Sequence, residues 1–223
     1  MSGLHFHSLF NPVARRLWWI LLPALLVALP LRSSHGLEFS DIAQEGQLKF
    51  LAVHPDPKAY RYTSHVRITE NSLTSGIVDL TTCHLQLDPI RKVVIAFNPK
   101  RLQELEIRSA SGMESVEVNG HHVVMTNVTR GATICIDLKS KALDQIDAQS
   151  YRLQAGPLMR RYLDGYLPMQ ATLRFEWPAG RLSLKQTNPA AQPGVKLTQD
   201  HNQAELDITF AGRLLANIDL TTQ

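Results

Sequence analysis

Gln203-Ala-Glu-Leu206-Asp-Ile208-Thr-Phe210-Ala211-Gly212-Arg213-Leu214-Leu-Ala216-Asn-Ile218-Asp-Leu220 decides the fold class of this 223-residue chain. Leu206, Ile208 and Phe210 alternate with Glu205, Asp207 and Thr209, and after Ala211-Gly212-Arg213 the alternation resumes at Leu214, Ala216, Ile218 and Leu220. Period two is the signature of a half-buried strand, so the stretch predicts two strands and a closing hairpin. The same period recurs upstream, in Val66 and Ile68 and again in Leu173, Phe175 and Trp177. Val93, Ile95 and Phe97 on one side, with Val94 and Ala96 on the other, predict a central strand covered on both faces. Together these segments predict an all-β, two-layer sandwich.

A second hairpin is read at Val116-Glu117-Val118-Asn119-Gly120-His121-His122-Val123, where Asn-Gly supplies the positive φ angles of a type I′ turn. That turn pairs Val118 with His121, Glu117 with His122 and Val116 with Val123, and it points the two histidines to opposite faces. One stretch breaks the β pattern, Tyr151 to Met169. Pro157 suits the first turn of a helix, Leu158, Met159, Tyr162 and Leu163 fall on one helical side, and Gly165 would end it. A short helix inserted between strands over Pro157 to Asp164 is the expectation.

Upstream of these strands lies an apolar run from Leu17 to Leu31, preceded by Arg15-Arg16 and followed by Ser34-His35-Gly36. A basic stretch, an apolar run and small residues are the three parts of a secretory signal. Residues 1–36 are expected to be a signal peptide cleaved after Gly36, with Ser33 as second choice and a retained membrane anchor as the alternative. Residues 37–223 would then form the β-sandwich domain, with a sub-domain boundary near 139–150 left open. The net charge of +3 belongs to this leader, because three of the 23 basic residues are Arg15, Arg16 and Arg32 while no acid precedes Glu38. The remainder is neutral and gives no footing for nucleic acid.

An exported chain folds under oxidising conditions, where a lone pair of cysteines is bonded more often than reactive. A Cys83–Cys135 disulfide is expected, outside the main core seam because Cys135 is in phase with Thr133 and Asp137 and opposite to Ile134 and Ile136. Many short strands, an inter-strand disulfide and export resemble the immunoglobulin-like class of β-sandwiches. No tryptophan lies between the cysteines, and this departs from that class. The Tyr151–Met169 stretch, Cys83-His84 and Pro193-Gly194 resemble a family of uncharacterised exported β-domain proteins of proteobacteria. That resemblance implies compartment and fold, and no activity.

Function is narrowed by elimination. No Gly-x-Ser-x-Gly elbow, Gly-rich phosphate loop or His-Glu-x-x-His occurs, so a non-catalytic role without a cofactor is expected. The six histidines after the leader junction, from His54 to His201, are scattered. A metal site assembled from His84, Met125 and Met169 is the weaker alternative, since soft ligands can come from distant strands. A cell-envelope hydrolase is weaker still. The candidate partner-binding surface is Arg152, Met159, Arg160, Arg161, Tyr162 and Tyr166, residue types favoured at interface hot spots. The expected partner is a protein of the cell envelope, with the membrane engaged only through the leader. The location is periplasmic or secreted, or anchored to the inner membrane facing the periplasm.

Overall fold

The structure is a computed structural model that describes residues 46–56, 58–163 and 165–223. The leader, its cleavage point and Asp164 lie outside the described residues. All described residues belong to one compact unit. Its first elements are β1 (Lys49–Phe50), β2 (Arg61–Arg67), the four-residue helix α1 (Ser72–Ser75), β3 (Ile77–Leu87), β4 (Ile90–Ala96) and β5 (Leu102–Ser111). There follow β6 (Ser115–Asn119), β7 (His122–Val128), β8 (Ala132–Lys141), β9 (Leu143–Gln145), β10 (Ser150–Leu158), β11 (Arg161–Tyr162) and β12 (Gly165–Tyr166). The last five strands are β13 (Met169–Glu176), β14 (Leu182–Asn188), β15 (Val195–Asp200), β16 (Gln203–Ala211) and β17 (Leu214–Thr222).

The protein is an all-β sandwich. An eight-stranded sheet runs β1-β16-β13-β2-β3-β8-β5, with β15 also paired to β16. A four-stranded sheet, β14-β17-β10-β9, and a three-stranded sheet, β4-β7-β6, share one contiguous core with it. Alternation decides which side chains enter that core: Leu173 and Phe175 are fully buried from β13, Leu206, Ile208 and Phe210 from β16, and Ile134 and Ile136 from β8. Strands on both sides of Lys139–Ser150 contribute to the eight-stranded sheet, and that stretch itself carries the end of β8 and all of β9.

Four local expectations are corrected. The closing segment is not a hairpin. β16 belongs to the eight-stranded sheet and β17 to the four-stranded one, so the chain crosses between sheets at Gly212 instead of turning back within one. Gly212 takes φ 98°, and a Cβ there would lie 2.1 Å from the carbonyl oxygen of Gln47, so the crossing requires glycine. An arch and a hairpin have the same period-two pattern; only the pairing partner differs.

The Val116–Val123 hairpin forms, with its turn one residue further along and each partner therefore shifted by two residues. Asn119 pairs with His122, Val118 with Val123 and Val116 with Met125. Gly120 (φ 61°) then occupies the first central position, as a type II′ turn requires. This register forms two apolar cross-strand pairs where the expected one offered a single pair; Val123 and Met125 are both fully buried, while Val118 stays exposed. His121 therefore sits in the turn, and its ring lies 3.9 Å from that of His122 instead of on the opposite face.

β4 is an edge strand, not a central one: Val93 and Ile95 are half-buried, while Val94 and Ala96 face outward. Finally, the helix expected over Pro157 to Asp164 is absent. β10 runs through a cis Gly156–Pro157 bond to Leu158, which pairs with Leu214, and β11 and β12 form a small hairpin beyond it. Met159, Tyr162 and Leu163 are exposed, so no apolar helical face exists to be buried. The single short helix of the described residues is α1.

Candidate functional site

Cys83 and Cys135 are bonded directly across β3 and β8, with Cα atoms 4.1 Å apart. Both are half-buried on the outward face of the eight-stranded sheet, opposite in phase to Ile134 and Ile136. A disulfide of this kind belongs to a chain that folds outside the reducing cytoplasm. Among the described residues no helix is long and apolar enough to cross a membrane.

The outward face is polar. A depression of about 700 Å³ in it is lined by Arg67, Asp79, Glu104, Arg108, Asp137 and Lys139 among others. These charges are largely spent on one another: Arg108 donates to Asp137 at 2.8 Å, Thr81 donates to the same carboxylate at 2.7 Å, and Lys139 reaches Glu104 at 2.8 Å. The Thr81 and Arg108 hydrogen bonds hold the Asp137 carboxyl below its ordinary range against the opposing effect of desolvation, the largest single contribution.

The six candidate binding residues divide. Arg152 is held within the four-stranded sheet by two hydrogen bonds to Asp219, at 2.7 and 2.9 Å, across the β10–β17 pair. It serves the sheet. Arg160 is the anchor of the hairpin. Its backbone carbonyl accepts the Leu167 N–H at 2.8 Å, and its guanidinium donates to the Pro168 carbonyl at 2.9 Å and to Asp88 at 2.5 Å. The same guanidinium lies 5.7 Å over the ring of Tyr60, within cation–π range, and its side chain is only 13% exposed. Tyr166 is half-buried against Gly46. Beyond this anchor stand Met159 (38% exposed), Tyr162 (52%) and Leu163 (79%), with Arg161 folded back so that its Nε donates to the Leu163 carbonyl at 3.2 Å. Leu163 adopts φ 51°, a left-handed conformation that a leucine seldom takes.

Behind the anchor lies a buried polar cluster of which the sequence singled out His84 alone, as a metal ligand. The Tyr60 hydroxyl and His84 Nδ1 are 2.7 Å apart, and the His84 ring also meets Tyr62 edge-on at 5.2 Å. His84 is buried, its Nε2 has no hydrogen-bond partner among the described residues, and burial depresses its pKa to about 4. Burial also pushes Tyr62 up to about 12 and Tyr60 further. His54 is a second buried imidazole beside Arg160 and Pro168. Its Nδ1 accepts the Asp56 N–H at 2.9 Å, and its Nε2 makes no well-aligned hydrogen bond among the described residues; desolvation lowers its pKa against the opposing pull of the Pro168 backbone.

The chain matches no protein-family model and no curated protein. Among solved structures it is similar to the M1 zinc metallopeptidase from Deinococcus radiodurans. A mutant of that enzyme bound to a Tyr-Ser-Ala substrate is 12% identical at a TM-score of 0.38, over 81% of this chain and 43% of that one. A second structure of the M1 zinc metallopeptidase from Deinococcus radiodurans is 14% identical at a TM-score of 0.35, over 82% and 44%. The chain thus spans less than half the length of the structures it matches.

The residues of the alternative metal site have other surroundings. His84 is engaged by Tyr60, while Met125 and Met169 are buried in the hydrophobic core. Among the described residues no group of three or more His, Cys, Asp or Glu side chains could hold a metal ion. Tyr60 and Asp88 were missed as partners of Arg160. Tyr60-Arg-Tyr62 alternation was the available signal for the first; Asp88 is 72 residues from Arg160 and carries none.

Proposed function

We propose that this protein is an exported, non-catalytic β-sandwich that binds or helps assemble a protein partner in the periplasm, and that the β11–β12 hairpin is its contact. The observation that carries this reading is the display of Tyr162 and Leu163 at a hairpin whose root is fastened by Arg160. An exposed leucine in a left-handed conformation costs conformational energy and gains nothing from burial within the fold. Strain of this kind collects at ligand clamps and contact surfaces. A tyrosine and a leucine held rigidly also lose little entropy on docking, which raises affinity for a given area.

Site-specific photo-crosslinking in the exported fraction tests the proposal. A crosslinking side chain at Leu163 is expected to trap one discrete envelope protein, and one at the outward-facing Thr172 of β13 is expected to trap none. Equal trapping at both positions, or none at either, would remove the hairpin as the contact.

A further inference from the structure

We infer that the hairpin is an acid-released element: the Arg160 anchor holds β11–β12 against the sandwich only while the buried imidazole behind Tyr60 is uncharged. The geometry makes Tyr60 the link. One side of its ring faces the Arg160 guanidinium and its hydroxyl bonds His84 Nδ1. With His84 neutral and accepting at Nδ1, the hydroxyl donates, and the electron-rich phenol ring attracts the guanidinium. Protonation of His84 reverses that hydrogen bond: Nδ1–H donates to the hydroxyl, density is drawn from the ring, and a second cation stands behind Arg160.

The neighbouring groups do not relieve this. From β2 and the residue before it come Tyr60 and Tyr62, and the residue paired across β8 is Ile134. From the segment after β1 comes His54, with Asp56 donating its N–H to that ring. Among the described residues the carboxylate on the cluster's guanidinium is Asp88, and Arg160 already occupies it. His84 Nε2 would become a buried charged donor without an acceptor among the described residues. A charge on His54 would repel the same guanidinium. Opening the hairpin uncovers Tyr60 and admits water to both rings.

Hydrogen exchange on the full chain, corrected for the intrinsic pH dependence of exchange, reads this directly. The reporter is the Leu167 amide, which donates to the Arg160 carbonyl across the base of the hairpin and is expected to exchange once that base loses its anchor, and the amides of β16 are the control. For a group held at about 4 when closed and at 6.5 when open, opening rises about thirtyfold between pH 7.5 and 5. Protection of Leu167 is expected to fall by that factor while β16 stays protected, and His84→Gln is expected to abolish the dependence. Flat protection in the native chain, or the same fall in His84→Gln, would overturn the inference. Should His84→Gln fail to fold, imidazole NMR of the native chain decides: a midpoint near 6.5 for His84 overturns it, and a depressed midpoint coincident with loss of Leu167 protection supports it.

The regulatory role rests on the hairpin being the partner contact, and the two readings fail separately. Acid release of Leu167 with no crosslink from Leu163 at either pH removes the contact and leaves the release. Crosslinking at pH 7.5 and 5 alike, with Leu167 protected throughout, removes the release and leaves the contact.

Discussion

Tyr60 and His84 meet through a 2.7 Å hydrogen bond, and that bond joins the hydrophobic core to the anchoring side chain of the exposed hairpin, Arg160. His84 comes from the middle of the eight-stranded sheet, Tyr60 from the approach to β2, and Arg160 from the hairpin root. Core stability and hairpin presentation are therefore coupled through one phenol.

The first consequence is global. Because burial lowers the folded-state pKa of His84 from 6.5 to about 4, the unfolded chain binds the proton more readily than the folded one. The stabilisation is complete above pH 6.5 and is lost as pH falls from 6.5 toward 4, where the loss reaches about 3 kcal/mol. Urea unfolding at pH 7.5, 6, 5 and 4 measures it. A His84→Gln chain should show a correspondingly flatter profile.

The disulfide closes 52 residues of sequence separation from the outward face of its sheet. Replacing both cysteines by serine leaves the core packing untouched, so the expected cost is about 4 kcal/mol, chiefly through a less constrained unfolded chain. The denaturant slope should increase with the exposure gained on unfolding.

Gly212 is the point where the chain passes from β16 to β17. Gly212→Ala would force a Cβ against the Gln47 carbonyl at a positive φ, and a loss of about 1–3 kcal/mol is expected from the strain alone. Gly120→Ala tests the contrast, because nothing lies within 4 Å of a Cβ there and only the turn conformation is affected. Thermal unfolding of the two variants should rank Gly212→Ala well below Gly120→Ala.

Arg152 was grouped with the hairpin in the sequence, yet its guanidinium is committed to Asp219. Arg152→Ala is expected to lower the unfolding midpoint and to leave crosslinking from Leu163 unchanged. A loss of crosslinking at full stability would return Arg152 to the binding surface.

Much of the architecture was legible because period-two alternation is a local property: Leu173, Phe175 and Trp177 point inward wherever their strand is placed. The outward phase of the disulfide was legible for the same reason. What period two cannot encode is the partner, so the β16–β17 arch read as a hairpin and the edge strand β4 read as central. Pro157 and Gly165 are punctuation that a short helix and a bulged strand with a small hairpin share, and only pairing with Leu214 decides between them. The candidate surface was half legible. Exposed Tyr162 and Leu163 lie within the stretch that stood out, but their anchor depends on Tyr60 and Asp88, brought in by tertiary contacts that leave no mark on neighbouring residues.

The most direct test of the central claim is native mass spectrometry of the protein recovered from its exported fraction, comparing the unaltered chain with a Tyr162→Ser, Leu163→Asp double variant. Both side chains are exposed, so the variant should unfold at the same urea concentration as the parent. The account predicts a stoichiometric complex for the parent and a free monomer for the variant. A complex of the same mass and abundance from both would contradict it.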